Sequence, residues 1–514
     1  MRALVGMLLL TLGGCDTLWA SYITLGDFSL DGGLSCDVSG SCDLAQSDGP
    51  PPDLQLAGCS MNSDCSGPVP YCDLNTGQCT AVQPSAEAFP QVPPFMTSIT
   101  LNRHYVLMAT GDYNGDGFTD IAVSGVFNSG GNATAAMQSD VEVYIGDGLG
   151  GFKPDNNVCA LPGESPVSLI TVPAVSKVGS GLLVATFGPN IFYCGRGAGA
   201  GGTWTPNMVG RNDGSGPDAR MPGFKQLALV KEASRTNPDI IVRTSKNLFL
   251  ESKDPADQGS FDVLRANANY TFAVPASQAS SSGIGWATPV RLKNAAGDVF
   301  ALNWDDPGTT GVSVSRRGVE FYDTSAGFAT SPIGTGYSAP LFMAGQFFPE
   351  FTKPFRATTV LHVAGQDPSL LMTVSQQQNY LGVLYGATAP GFTVQAMTTW
   401  APSGLMLPYA GDATGDQLDE IGLYTMALNG NPLTRHLQLL PYKSGSIDTT
   451  NFIVDISTIN DNFRAMSLDY LGDANDRRRS SLRKDLITLI ENPTNANNQS
   501  QLVIYRANLN KRFP

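Results

Sequence analysis

Ten residues, Gly111-Asp112-Tyr113-Asn114-Gly115-Asp116-Gly117-Phe118-Thr119-Asp120, set oxygen-bearing side chains at a regular interval. Counted from Asp112, they are Asp112, Asn114, Asp116 and Asp120 at positions 1, 3, 5 and 9, with Gly117 at position 6. A hard divalent cation such as Ca2+ takes six to eight oxygens at about 2.3–2.6 Å, and alternate side chains on a tight loop can converge on one. Gly117 allows the positive φ such a turn needs. Phe118, at position 7, would offer its backbone carbonyl. The competing use of the same residues is a turn whose Asp and Asn side chains satisfy their own backbone.

A second stretch repeats the spacing. In Gly411-Asp412-Ala413-Thr414-Gly415-Asp416-Gln417-Leu418-Asp419-Glu420, the oxygen positions are Asp412, Thr414, Asp416 and Glu420. Leu418 takes the carbonyl position, and Gln417 replaces the glycine. Both loops are expected to hold Ca2+. A third stretch, Gly472-Asp473-Ala474-Asn475-Asp476, runs into Arg477-Arg478-Arg479, so a cation stands at position 5 and the metal site is expected to be lost. None of the three carries an acid at position 12, and Asp120 leads into a β-prone run, which speaks against a loop flanked by helices.

Other catalytic chemistry leaves little trace. The three histidines, His104, His362 and His436, lack metal-ligand spacing. No G-x-S-x-G nucleophile turn occurs. A non-enzymatic protein is the expectation. A carbohydrate-active lyase or hydrolase, whose carboxylates would come from distant segments, is the alternative.

The elements that must position the loops recur along the chain. An acidic or small residue followed by a β run occurs at Asp120, Gly181, Asp239, Gly311, Ser369, Glu420 and Asp485. A further β run follows each, beginning near Val141, Ile191, Leu248, Val319, Val383, Leu437 and Leu502. Their mean spacing of about 60 residues suits propeller-type repeats. A third marker is an aromatic, usually after a turn: Phe152, Trp204, Phe261, Phe328, Phe392 and Phe452. The seventh repeat lacks one at its C-terminal end, but Phe95 precedes the β run Thr97–Leu101. The first strand is therefore expected to complete the last repeat, which removes exposed edges. The fold expected is all-β: a seven-bladed β-propeller over residues 95–514. With 56 Gly and 34 Pro among 514 residues, turns are frequent, as such a fold requires.

The residues around the first loop add a family resemblance. Gly111–Val123, followed by Val141-Glu142-Val143-Tyr144-Ile145-Gly146-Asp147-Gly148-Leu149-Gly150-Gly151-Phe152, resembles the FG-GAP/VCBS repeat of integrin-α-type propellers. The resemblance spans residues 105–154, is partial in the sixth repeat and is only periodic elsewhere. It implies that the loop joins the first two strands of a blade and binds Ca2+.

The first hundred residues differ in kind. Met1-Arg2, the apolar run Ala3–Leu12 and Gly13-Gly14 before Cys15 suit a secretory signal over residues 1–14. Leu12-Gly13-Gly14-Cys15 resembles a bacterial lipobox, which implies cleavage before Cys15 and acylation of that residue. A lipid anchor in the cell envelope, at the outer membrane or cell surface, follows from that resemblance. Residues 15–58 are rich in Gly, Ser, Asp and Pro and read as a flexible tether. Within them Cys36 and Cys42 are expected to close a small loop.

Cys59, Cys65, Cys72 and Cys79 form a module over residues 59–80, too short for a core and so held by disulfides. Three pairings are possible, of which Cys59–Cys72 with Cys65–Cys79 is preferred. Zinc would favour paired C-x2-C spacing, which is absent here. The text resembles short cysteine-rich repeats of bacterial surface lipoproteins. Residues 81–94 are a Pro-rich linker. Cys159 and Cys194 are expected to pair and join neighbouring blades.

Charge sharpens the division. The chain carries 31 Lys and Arg against 45 Asp and Glu, a net charge of −14. Between Cys15 and Asn102 there is no Lys or Arg but ten acids. No basic stripe serves nucleic acid. The expected function is recognition of a protein or polysaccharide by an anchored propeller, with a scaffold subunit of an envelope complex as a further alternative.

Overall fold

The computed structural model describes most of residues 59–125, 140–211 and 404–510, and the strands between 224 and 400. The signal segment, Cys15, the tether with Cys36 and Cys42, and residues 473–482 with the third loop lie outside the described residues. No helix among the described residues is long and apolar enough to cross a membrane.

The chain is all-β. Its sheets are antiparallel, and most use four strands taken in chain order. Sheet 1 comprises Leu107–Gly111, Asp120–Ser124, Asp140–Gly146 and Phe152–Pro154, and Cys159–Ala160 also pairs with its third strand. Sheet 2 comprises Pro166–Val172, Gly181–Thr186, Asn190–Arg196 and Trp204–Arg211. Sheet 3 holds Phe224–Val230, Asp239–Ser245, Ser260–Leu264 and Ala276–Gln278, and sheet 4 holds Ala287–Val290, Val299–Asp306 and Arg316–Asp323. Sheet 5 is Phe355–Leu361, Ser369–Val374, Asn379–Thr388 and Gly391–Trp400. Sheet 6 is Gly404–Gly411, Glu420–Ala427, Thr434–Leu440 and Val454–Ile459.

Sheet 7 begins with Asn462–Asp469, Asp485–Glu491 and Ser500–Tyr505. Its fourth strand is Met96–Thr100, which pairs with Ser500–Tyr505 from Met96 opposite Tyr505 to Thr100 opposite Gln501. A strand that precedes sheet 1 in the chain thus completes sheet 7.

The second strands of sheets 1 and 2 are covered on both faces. Every residue of Asp120–Ser124 and of Gly181–Thr186 is buried. Successive side chains in a strand point to opposite faces, so each strand feeds two cores. Ala122 meets Leu182 and Val184 between sheets 1 and 2, whereas Ile121 and Val123 meet Ile487 and Leu489 between sheets 1 and 7. Leu183 and Ala185 pack against Leu227 and Leu229 of sheet 3. Leu437 and Leu439 pack against Leu468 and Leu486 between sheets 6 and 7. The first strands of sheets 1 to 6 lie beside one another in succession, and that of sheet 7 lies beside that of sheet 1.

Two repeats depart from the expected positions. In sheet 4 the second strand is Val299–Asp306, not the run beginning at Gly311, which falls between strands and outside the described residues. Asp298-Val299-Phe300-Ala301-Leu302 carries the same acid-then-apolar signature and lies nearer the mean spacing. Gly311-Val312-Ser313-Val314 competed with it on β-propensity alone. In sheet 3 the third strand is Ser260–Leu264, so Phe261 marks the third strand there, and Leu248 lies outside the described residues.

Candidate metal loops

Gly111 ends the first strand of sheet 1 and pairs with Asp120, which begins the second. Gly411 and Glu420 pair in the same way in sheet 6. The two loops therefore hang from the same point of their sheets. Each turns through a glycine in the left-handed region, Gly115 at φ 79° and Gly415 at φ 81°, so position 4 in both carries an angle that glycine adopts without strain. Gly117, at φ 85°, adds a second in the first loop, while Gln417 lies outside the described residues.

Three hydrogen bonds recur. The Gly115 amide donates to Asp112 Oδ1 at 2.7 Å, and the Gly415 amide to Asp412 Oδ1 at 2.6 Å. The Phe118 amide donates to Asp116 Oδ1 at 2.8 Å, and the Leu418 amide to Asp416 Oδ1 at 3.0 Å. The Tyr113 amide donates to Asp120 Oδ2 at 2.9 Å, and the Ala413 amide to Glu420 Oε2 at 2.7 Å. Shared bonds at shared positions make the sixth-repeat loop a structural copy of the first.

The position-9 acids are the buried ones. Asp120 has no exposed surface, and its Oδ1 also accepts the Gly146 amide from the third strand at 2.9 Å. Burial pushes its pKa up to about 7, against the pull of the Gly146 and Tyr113 amides, and the charges of Asp116 and Asp112 push the same way. Burial pushes Glu420 up to about 8, with Asp412 and Asp416 adding to the rise. Asp112 is also raised, again chiefly by burial. Concentrated negative charge in a half-dry loop is what a bound cation relieves.

The loops differ in how their oxygens face one another. Asp412, Asp416 and Glu420 each present a carboxylate oxygen within 4.8 Å of the others, a span one cation can bridge. Thr414 turns its hydroxyl onto Glu420 Oε1 at 3.0 Å. In the first loop Asp112 bonds its own backbone with both oxygens, Oδ1 also accepting from Asp116 and Oδ2 from Gly117. Asn114 Nδ2 donates to Asp116 Oδ2 at 2.7 Å. A carboxylate oxygen has room for more than one partner, so these bonds shape the loop, but Asp112, Asp116 and Asp120 are not brought within that 4.8 Å span of one another. The hard oxygen donors in both loops fit Ca2+.

The first loop is held from both sides. The Ser180 amide of sheet 2 donates to the Asp112 carbonyl at 2.6 Å. Thr171 of sheet 2 donates its hydroxyl to the Thr110 carbonyl at 2.7 Å, which leaves the buried Tyr113 hydroxyl to donate to Thr171 Oγ1, also at 2.7 Å. On the other side Thr119 donates to the Tyr470 carbonyl, and the Thr110 and Ser467 hydroxyls meet at 3.2 Å. The loop thus lies where sheets 7, 1 and 2 join.

No family model and no curated protein matches the chain. Among the solved structures similar to it are two from fungi. One is a lectin of Agrocybe aegerita, described as specifically recognising non-reducing terminal N-acetylglucosamine. It is 12% identical, covers 81% of each chain and has a TM-score of 0.31. The other is Sqt1 from Chaetomium thermophilum, 8% identical over 79% of this chain and 97% of that chain, with a TM-score of 0.43. Neither likeness bears on what this chain binds.

In sheet 7 the equivalent acid is Asp485, paired with Asp469 across the strands. It accepts the Ala507 amide at 2.7 Å, as Asp120 accepts that of Gly146. Arg506 Nε lies 3.9 Å from its other oxygen. A guanidinium stands near where the other loops gather carboxylates. Arg506 follows the third strand, far from the arginine run, so its role was hidden from local spacing.

The cysteines pair as preferred: Cys59–Cys72, Cys65–Cys79 and Cys159–Cys194. The sulfurs of the module are thereby taken out of metal chemistry. Cys159–Cys194 joins the strand beside sheet 1 to the third strand of sheet 2. His104 is buried, and His436 pairs with Asp455 at 2.9 Å on two strands of sheet 6.

Proposed function

We propose that the chain is an anchored seven-bladed β-propeller of the FG-GAP/VCBS type that binds a protein or polysaccharide at the cell envelope. The sheets are its blades, and Met96–Thr100 completes the seventh. The side-by-side succession of first strands, ending with that of sheet 7 beside that of sheet 1, supports a closed ring.

Ca2+ in the loops of blades 1 and 6 is structural. The observation that carries this reading is the position of the Asp112–Asp120 loop, which is hydrogen-bonded to sheet 2 on one side and sheet 7 on the other. An ion there stiffens the joint between blades. Asp112, Asn114, Asp116, Asp120 and the Phe118 carbonyl hold the first ion. Asp412, Thr414, Asp416, Glu420 and the Leu418 carbonyl hold the second. The anchor is lipid on Cys15, reached through the tether.

A glycan array probed with the Ca2+-loaded and the chelated protein tests the recognition role. Ca2+-dependent capture of one class of glycan supports a lectin. An array blank in both states, together with a Ca2+-independent cell-surface pull-down profile, contradicts Ca2+-supported recognition.

A further inference from the structure

The cysteine-rich module is bonded to the far end of the chain. The Leu74 amide donates to Asn510 Oδ1 at 2.8 Å, and Asn510 Nδ2 returns a bond to Asp73 Oδ1 at 2.9 Å. Asn75 Nδ2 donates to Asn508 Oδ1 at 2.8 Å, and the Leu509 amide donates to Asn75 Oδ1 at 3.0 Å. The hydrogen bonds of Asn510 and Asn75 hold the Asp73 carboxyl below its usual range, against a burial that raises it.

The linker joins the same grip. Asn508 Nδ2 donates to the carbonyls of Ser85 and Glu87, and its amide to that of Ala88. Ala88 and Phe89 are buried in the core between sheets 6 and 7, with Tyr505 and Ala507. The Arg506 amide reaches the Phe95 carbonyl at 2.7 Å. Asn508 is buried and bonded on every side, and it lies three residues beyond the last strand.

We propose that the module is a clasp on the junction between the chain's two ends. The pairing of Met96–Thr100 with Ser500–Tyr505 is one edge ladder of five residue pairs. A short edge ladder frays from its ends. The module fastens the outer end of that ladder by holding residues 508–510, while the linker's Ala88 and Phe89 fill the core beneath. Two disulfides make it a rigid hook, since a segment of its length has no core of its own. Residues 1–58 join the module, not the edge strand, so a pull from that side is borne by the clasp first. Asp73, Asn75, Asn508 and Asn510 are the lock: three short amides with both donors and acceptors and one accepting carboxylate, from two segments more than 400 residues apart.

Hydrogen exchange on the full Ca2+-loaded chain tests the clasp. The double variant Asp73→Ala/Asn75→Ala removes the hook's side of the lock and leaves all four module cysteines in place. Asn510→Ala removes the receiving side without touching the module. Both are expected to raise exchange at residues 96–100 and 500–505 at least tenfold, with Gly181–Thr186 of sheet 2 unchanged. Exchange at 96–100 and 500–505 equal to the parent's in both variants would overturn the clasp and leave the module a passenger. Loss of protection at Gly181–Thr186 as well would also overturn it, by showing that the lock supports the whole fold and not the junction.

Discussion

Asp120 sits in the protein interior with three backbone amides bonded to its carboxylate: Tyr113, Asn114 and Gly146. Those amides fix where the carboxylate points, and burial makes its charge costly. Its pKa in the folded, ion-free chain is raised to about 7, and that of Glu420 to about 8, both above the unfolded carboxylate range. The folded state then binds more protons than the unfolded state, so stability falls as pH rises. The fall spans the window from the unfolded values to about 7 and about 8. Thermal melts in chelator are expected to show a lower Tm at pH 8 than at pH 5.5. Saturating Ca2+ should erase the difference, because the cation stabilises the charged carboxylates. Asp116 separates ion binding from loop structure. It is exposed, so Asp116→Asn is expected to change Tm in chelator by the equivalent of no more than about 0.5 kcal/mol. The same variant should lose the part of the Tm gain that the first loop's ion gives the parent and keep the part given by the sixth-sheet loop. At this scale the alternation of Asp112, Asn114, Asp116 and Asp120 was legible because ligand spacing is a local property. The bonds from Ser180 and Tyr470 were not, since they come from other sheets.

Sheets 1 and 6 share one local plan, in which the acid that opens the second strand caps an amide of the loop before it. The start of the second strand was readable wherever an acid and its apolar run stood alone, as at Asp239-Ile240-Ile241-Val242. That signal misled at Gly311, where a second β-prone run lay a few residues beyond the true strand Val299–Asp306. Periodicity names the elements, while the register of hydrogen bonds selects among candidates. Loops between strands carry their own constraints. Gly179, ahead of the second strand of sheet 2, has φ 99°, and a Cβ there would lie 2.8 Å from the Gly115 amide nitrogen and the Tyr113 carbonyl. Gly179→Ala is therefore expected to cost about 1–3 kcal/mol by overpacking, measured by chemical denaturation. Because the pressed atoms belong to the first metal loop, its Ca2+ affinity should fall as well, while that of the sixth-sheet loop stays unchanged.

The molecule as a whole is held by contacts that join what the sequence separates. The cores among the described residues lie between sheets, joining sheets 6, 7, 1, 2 and 3 in turn. The Cys159–Cys194 crosslink spans a sequence separation of 35 between sheets 1 and 2. Replacing both cysteines by Ser is expected to cost about 3–4 kcal/mol, read as a shift of the denaturation midpoint. Division of the chain into an acidic N-terminal part and a balanced remainder was legible in charge alone. Docking of the module onto residues 508–510 was not, because asparagine side chains far apart carry no pattern until the fold brings them together.

A calorimetric titration of Ca2+ into the chelator-stripped protein reads both loops at once. Two occupied loops give two binding events, with a Tm that rises as the sites fill, and one event fewer in Asp116→Asn. A flat titration with a melt that Ca2+ leaves unmoved would contradict it, and would reduce both loops to turns that satisfy only their own backbone.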